Sequence, residues 1–213
     1  MIRSHPLYPT ELRARRLHYT VRQSEALEHE TEVKIPLRNS ASIHQRVTSI
    51  GFAISSPRVF EANTVYDTAD SSLRKADMLL RLRQSGSRGI LTWKGPGVPG
   101  PHKSRPELET AVGSLDTLDK ILRQLGYLPG FRYEKYRTEF ESPDPEGGTI
   151  TFDETPIGEF LELEGPAEWI DRTARELDFS PRDYVVSSYG KLYSDYCAQR
   201  GVQPKDMVFA SPG

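Results

Sequence analysis

From Glu30 onward, short stretches of the chain put charged residues at every second position with apolar residues between them. In an extended strand such neighbours point to opposite faces, so each stretch is committed to a sheet with one apolar and one ionic face. The segments are Glu30–Leu37, Arg58–Thr68, Ala76–Gln84, Gly89–Lys94, Lys103–Val112, Phe131–Glu141, Thr149–Glu154 and Glu159–Glu164. Glu30, Glu32 and Lys34 alternate with Thr31, Val33 and Ile35; Arg81 and Arg83 with Leu80 and Leu82; Glu162 and Glu164 with Leu161 and Leu163. Arg105, Glu107 and Glu109 share one face, Lys135 and Arg137 another, Lys94 closes its strand, and Asp153 stands opposite Ile150 and Phe152. The separators, such as Ser85-Gly86-Ser87, Gly95-Pro96-Gly97 and the stretch from Ser142 to Gly148, carry turn chemistry, which implies antiparallel pairing.

One strand at a time, an ionic face is simply the solvated side of an antiparallel sheet. Helical spacing elsewhere changes that reading. Ile43, Val47 and Ile50 recur along Ser42–Gly51; Leu115, Leu118, Ile121, Leu122 and Leu125 along Ser114–Gly126; Trp169, Ile170, Ala174 and Leu177 along Ala167–Phe179. A further helix is expected over Tyr184–Gln199. These helices need apolar sheet surface to pack on, which turns the apolar faces outward and the ionic faces inward. The expected fold is α+β: a closed eight-stranded antiparallel barrel with helices packed outside.

A bore carrying so many charges cannot be dry, because each unpaired buried ion costs several kcal/mol. Lys34, Arg81, Arg83, Lys94, Arg105, Lys135 and Arg137 suit phosphate oxygens. Glu30, Glu32, Glu107, Glu109, Asp153, Glu162 and Glu164 would repel a polyanion unless Mg²⁺ or Mn²⁺ lay between. A metal–polyphosphate complex fits both sets.

The chain as a whole carries 28 basic and 30 acidic residues, a formal charge of -2, so no overall field draws it to nucleic acid or an anionic membrane. No leader or membrane-spanning run is evident, and a single cysteine, Cys197, excludes an internal disulfide and suits a reducing, cytoplasmic setting. With 213 residues one domain is expected: an arm over residues 1–28, the barrel over 29–199 and a tail over 200–213. Oligomeric state is not legible.

The run Glu30-Thr31-Glu32-Val33-Lys34 resembles the Glu-x-Glu-x-Lys signature of the CYTH superfamily, the triphosphate tunnel metalloenzymes. Leu80-Arg81-Leu82-Arg83, Trp93-Lys94-Gly95-Pro96, Arg105-Pro106-Glu107-Leu108-Glu109, Glu134-Lys135-Tyr136-Arg137, Phe152-Asp153 and Glu162-Leu163-Glu164 extend the resemblance in order. Thr31 and Val33, with the Leu125–Phe131 and Gly158-Glu159-Phe160 stretches, are most similar to the class IV adenylyl cyclase branch. The resemblance implies an enzyme that turns ATP into cyclic AMP and pyrophosphate with Mg²⁺ or Mn²⁺. Hydrolysis of inorganic, thiamine or nucleoside triphosphate is the alternative, and a non-catalytic polyphosphate- or nucleotide-binding module a more distant one.

By the same resemblance, Glu30, Glu32, Asp153, Glu162 and Glu164 are metal ligands. Lys34, Arg81, Arg83, Lys94, Arg105, Lys135 and Arg137 hold phosphates, and Glu107 and Glu109 line the tunnel without a defined role. Lys34 either orients or activates the nucleophile or is one more phosphate-binding cation. His29, His44 and His102 lack zinc-ligand spacing and read as surface or capping groups. Trp93, Trp169 and Tyr189 read as packing residues, and Gly95–Gly100 as a turn beside the tunnel mouth.

Overall fold

The computed structural model describes residues 28–210. All of the expected arm except Glu28, and residues 211–213 of the tail, lie outside the described residues. Eight strands, β1 (His29–Leu37), β2 (Ala53–Asp67), β3 (Leu79–Ser85), β4 (Arg88–Lys94), β5 (Lys103–Val112), β6 (Leu128–Glu141), β7 (Thr149–Thr155) and β8 (Gly158–Glu164), close into one barrel in the order β1-β5-β4-β3-β2-β6-β7-β8. Every pairing is antiparallel. Among the described residues, five α-helices accompany them: α1 (Ile43–Ser49), α2 (Ser72–Lys75), α3 (Leu115–Gln124), α4 (Ala167–Glu176) and α5 (Tyr189–Gln199).

All eight expected strands are present, and their edges differ where local chemistry overrides the alternation. β2 begins at Ala53 rather than Arg58, running through Pro57; the register with β6 slips on either side of Ser56, the kind of irregularity that tolerates a residue without an N–H. The segment before β3 is not strand. There the Asp67 carboxylate accepts the backbone N–H groups of Thr68, Leu73 and Arg74, winding the connection into α2. The final helix starts at Tyr189 instead of Tyr184, because Ser188 caps it and Val185 is drawn onto β1, exchanging two backbone hydrogen bonds with Lys34.

The apolar faces do turn outward. Val33, Ile35, Phe140, Ile150, Phe152, Leu161 and Leu163 meet Ile43 and Val47 of α1 and Trp169, Ile170 and Ala174 of α4 in the largest core. Leu82, with the partly buried Leu80 and Leu91, packs against Leu115, Leu118 and Leu122 of α3. Ser114 caps that helix by accepting from the Thr117 N–H, and Gly126, at a φ of +90, supplies the left-handed residue that ends it. Truncating Leu163, fully buried between β8 and the helices, to alanine costs about 2–5 kcal/mol on this footing.

A third cluster closes one end of the bore. Tyr133, Phe160 and Tyr189 join Met207, with Phe131, Val65, Leu192 and Tyr193 packed around them. Beyond the reach of β7, the free edge of β6 is taken up by the C-terminal segment: the Met207 N–H donates to Arg132 O and the Glu134 N–H donates to Met207 O, both at 2.9 Å.

Candidate functional site

The inward faces enclose a cavity of about 250 Å³, and every charged residue that the sequence assigns to the bore, except Asp153, lines it. Asp153 lies just behind, completely buried. Strand alternation does the positioning, since residues two apart share the bore face and the antiparallel register sets each beside its partner.

On the β2, β3 and β6 side the charges are interlocked. Arg137 donates from Nε and Nη2 to the two carboxylate oxygens of Asp153 at 2.7 Å each, and from Nη2 to Glu162 Oε2 at 2.5 Å. Lys135 donates to Asp153 Oδ2 at 2.9 Å. Arg83 donates to Glu109 at 2.7 Å and lies 3.6 Å from Glu61, while Arg81 donates to the Tyr133 hydroxyl at 3.1 Å and lies 3.4 Å from Glu109. Burial pushes the Glu61 carboxyl up, but Lys135, Arg137 and Arg83 outweigh it and hold the group down at about 2.

On the β1, β8 and β5 side the carboxylates crowd one another. Glu32 and Glu164 stand directly opposite across β1 and β8, a like-charge arrangement that is unfavourable alone. Glu32 accepts from Lys34 at 2.9 Å and Lys103 at 2.8 Å; burial opposes ionisation, yet Lys34 and Lys103 hold this carboxyl below the ordinary range. Lys94 pairs with Glu30 and, at 3.0 Å, with Glu107. Burial, then the hydrogen bond with Glu30, pushes Glu107 up to about 7. Glu164, at the exposed rim, has no ion-pair partner among the described residues. Partial desolvation inside the mouth and the charge of Glu30 push it up to about 7 as well.

Two cations stand out. Lys34, between Glu32 and Glu162 (3.3 Å), is lowered by burial but raised more strongly by Glu162 and Glu32, ending above the ordinary lysine range. Arg105 is only 8% exposed and has no ion pair among the described residues. Its Nε, like those of Arg81 and Arg83, is buried without a hydrogen-bond partner.

The donor set fits a hard divalent cation: it consists of carboxylate oxygens, several of them at one mouth, where burial first and then the neighbouring Glu30 raise Glu107 and Glu164 to about 7. Among the described residues no three acidic, histidine or cysteine side chains converge as a ready-made cage.

Sequence reasoning missed Glu61, Lys103 and Glu139, which join the same walls. Parity could have found the last two: Lys103 continues the face of Arg105, and Glu139 that of Arg137. Glu61 has no flanking charge to mark its strand face. Tyr189, read as a packing residue, does sit in the aromatic cluster but also reaches the cavity, donating to Asp153 Oδ2 at 2.7 Å. His102 bonds Asp171 and His44 packs edge-on to Phe140 and Phe152, both on the outside of the barrel. The Gly95–Gly100 turn is pinned by hydrogen bonds from Gly97 to Asp77 and from Val98 to Ser104. Among the described residues no helix is long and apolar enough to cross a membrane.

Comparison with known proteins agrees with this architecture. The Methanocaldococcus jannaschii protein named "Putative adenylate cyclase MJ0240" is 25% identical over 135 residues, 63% of this chain and 75% of its own. Of the solved structures, one from Vibrio parahaemolyticus, described as "a putative adenylate cyclase", superposes with a TM-score of 0.70 at 22% identity, over 78% of this chain and 98% of its own. The PH1819 protein of Pyrococcus horikoshii superposes with a TM-score of 0.64 at 24% identity, over 78% and 99%. The CYTH domain profile matches residues 28–180, well over half the chain, and with the closed barrel and its inward charges this places the protein in the CYTH domain family.

Proposed function

We propose that the chain is a divalent-metal-dependent enzyme that holds a triphosphate in the bore and acts, like class IV adenylyl cyclases, on ATP to give cyclic AMP and pyrophosphate. Arg105 carries the reading. A buried guanidinium with no ion pair among the described residues is costly, and an anionic ligand relieves that cost. Arg81, Arg83, Lys94, Lys135 and Arg137 supply the remaining phosphate contacts, with Arg offering paired donors and Lys a point charge. Glu30, Glu32, Glu162 and Glu164 are the proposed metal-holding carboxylates, and Mg²⁺ or Mn²⁺ the ion. When bound, such an ion neutralises phosphate charge and lowers the pKa of the attacking hydroxyl or water.

Of the two roles open to Lys34, the electrostatics favour cation over base. Its pKa lies above the ordinary lysine range, so at neutral pH it is protonated and donates hydrogen bonds rather than accepting a proton. In the cyclase reaction the ribose 3′ oxygen attacks the α-phosphorus as the bond to the β-phosphate bridging oxygen breaks, and pyrophosphate leaves. The bore's part is to hold the chain of phosphates in line and spread its charge. The setting is taken as cytoplasmic.

The cavity volume supports a second reading. At about 250 Å³, just under the usual span of ligand pockets, and lined almost entirely by ionic groups, it matches a triphosphate moiety better than a whole nucleotide. Water attacking in place of the ribose hydroxyl makes the protein a triphosphatase. Incubation with ATP, thiamine triphosphate and inorganic triphosphate, each with Mg²⁺ or Mn²⁺, separates the readings by product. Cyclic AMP and pyrophosphate mark the cyclase, orthophosphate the hydrolase, and binding without any product the non-catalytic module.

A further inference from the structure

We infer that the C-terminal segment Asp206–Phe209 is a strap that holds the bore's tyrosines in place, with Met207 as its positioning residue, so that the grip on triphosphate depends on chain outside the barrel strands. This rests on the reading of the bore as a metal–triphosphate site. The segment lies beyond residues 28–180, which match the CYTH domain profile, so membership of that family does not account for it.

The exposed edge of β6 is what the strap completes. The ladder of β6 with β7 ends at the pair Tyr136–Glu154, while its ladder with β2 runs on to Leu128, so residues 131–135 have a strand neighbour on one side only. On the other side the Arg132 N–H donates to Asp206 Oδ1 at 2.8 Å, the Met207 N–H to Arg132 O at 2.9 Å and the Glu134 N–H to Met207 O at 2.9 Å. The Phe209 N–H donates to Glu134 Oε2 at 3.2 Å, and the Tyr193 hydroxyl of α5 donates to Asp206 O at 3.1 Å. One short segment thus ties the edge of β6 to α5. Left unpaired, a strand edge of this kind is where local opening starts.

The stretch so held carries groups that the bore uses. Tyr133 lines the cavity, and its hydroxyl accepts from Arg81 at 3.1 Å. Tyr189, at the start of α5, donates to Asp153 at 2.7 Å, and its ring lies 5.4 Å from the Lys34 and from the Lys135 ammonium group. The two tyrosine rings stand 6.0 Å apart and share one buried cluster with Phe160 and Met207, which is 1% exposed. An unbranched, adaptable side chain suits that joint between a strand tyrosine and a helix tyrosine. Losing Met207 therefore loosens the groups that aim Arg81, Lys34 and Lys135, yet it removes no proposed phosphate contact and leaves the largest core, which contains none of these residues, intact.

A contact that serves stability alone lowers the melting temperature and leaves affinity, measured well below it, unchanged. Inorganic triphosphate binding is therefore measured by calorimetry at saturating Mg²⁺, at a temperature where circular dichroism shows each variant folded. A chain ending at Gln203 and the full-length Met207→Asp variant should each bind triphosphate about tenfold or more weakly, a usual size for coupling between sites, while Met207→Leu should stay within about threefold of wild type. Wild-type affinity in the folded, shortened chain overturns the inference. Because either change can unfold the chain, the wild-type protein supplies a second decision through reciprocity: a strap that tightens triphosphate binding is itself tightened by bound triphosphate. The amide hydrogens of Met207 and Glu134 should exchange about tenfold or more slowly with Mg²⁺ and triphosphate than with Mg²⁺ alone, and unchanged rates overturn the inference. Wild-type protein that binds no triphosphate contradicts the reading of the bore instead, and the first titration shows it before any variant is compared.

Discussion

The two sides of the bore differ less in their charges than in how those charges are held. Around β2, β3 and β6, three buried or half-buried carboxylates each lie against two cations: Asp153 against Lys135 and Arg137, Glu61 against Arg83 and Lys135, Glu109 against Arg83 and Arg81. Around the mouth, Glu30, Glu107 and Glu164 press on one another, and two of them rise to about 7. One side is a finished electrostatic structure; the other is short of positive charge. A site that is to co-bind a polyanion and a cation needs that asymmetry, because a fully neutralised lining would offer a metal ion nothing.

The comparison breaks first if stability does not follow it. Arg137→Met leaves Asp153 and Glu162 buried and short of charge, so denaturant unfolding should show a loss of about 3–5 kcal/mol. Glu164→Gln removes an unpaired rim charge that the fold holds up at about 7, so its unfolding free energy at neutral pH should be unchanged or raised while turnover falls about 100-fold. Equal destabilisation by the two would erase the distinction. Arg105→Ala sharpens it from the cationic side: triphosphate affinity should fall about tenfold, with stability unchanged or slightly raised, since no ion pair among the described residues is broken. A drop in stability as large as that of Arg137→Met would show that Arg105 has a partner after all.

A smaller effect follows from proton linkage. Glu107 and Glu164 bind protons more tightly folded, near 7, than at the ordinary 4.5, so their contribution to stability is complete below about pH 4.5 and is lost as pH rises through about 7. Glu61 acts oppositely, its contribution present above about 4.5 and lost as pH falls toward about 2. Metal-free protein should therefore lose thermal stability between about pH 5 and 8, and added Mg²⁺ should restore more of it at the upper end of that range than at the lower, because the ion competes with those protons. A Glu107→Gln, Glu164→Gln double variant should flatten that decline.

Much of this architecture is legible in the sequence, because period-two alternation both defines a strand and sorts its residues by face. The Glu-x-Glu-x-Lys run, the two arginines at Arg81 and Arg83 and the acidic pair at Glu162 and Glu164 all reach the bore for that reason. Where the local signal is weaker, the pattern falls short. Pro57 and its neighbouring serines imitate a turn yet lie inside β2, since a bulge absorbs them. Tyr189 belongs to a helix, so face alternation says nothing about its reach into the bore. The bridges of Val185 to β1 and Met207 to β6 depend on where neighbouring strands end, a property of the closed barrel that no local pattern encodes.

The central claim is that triphosphate and divalent ion occupy the bore as one unit, and calorimetry on the wild-type protein tests it most directly. Inorganic triphosphate titrated with Mg²⁺ present and with chelator should differ in affinity by about tenfold or more, and Mg²⁺ should bind more tightly by the same factor when triphosphate is bound, since such coupling is reciprocal. Triphosphate affinity that is the same with Mg²⁺ and with chelator would contradict the account.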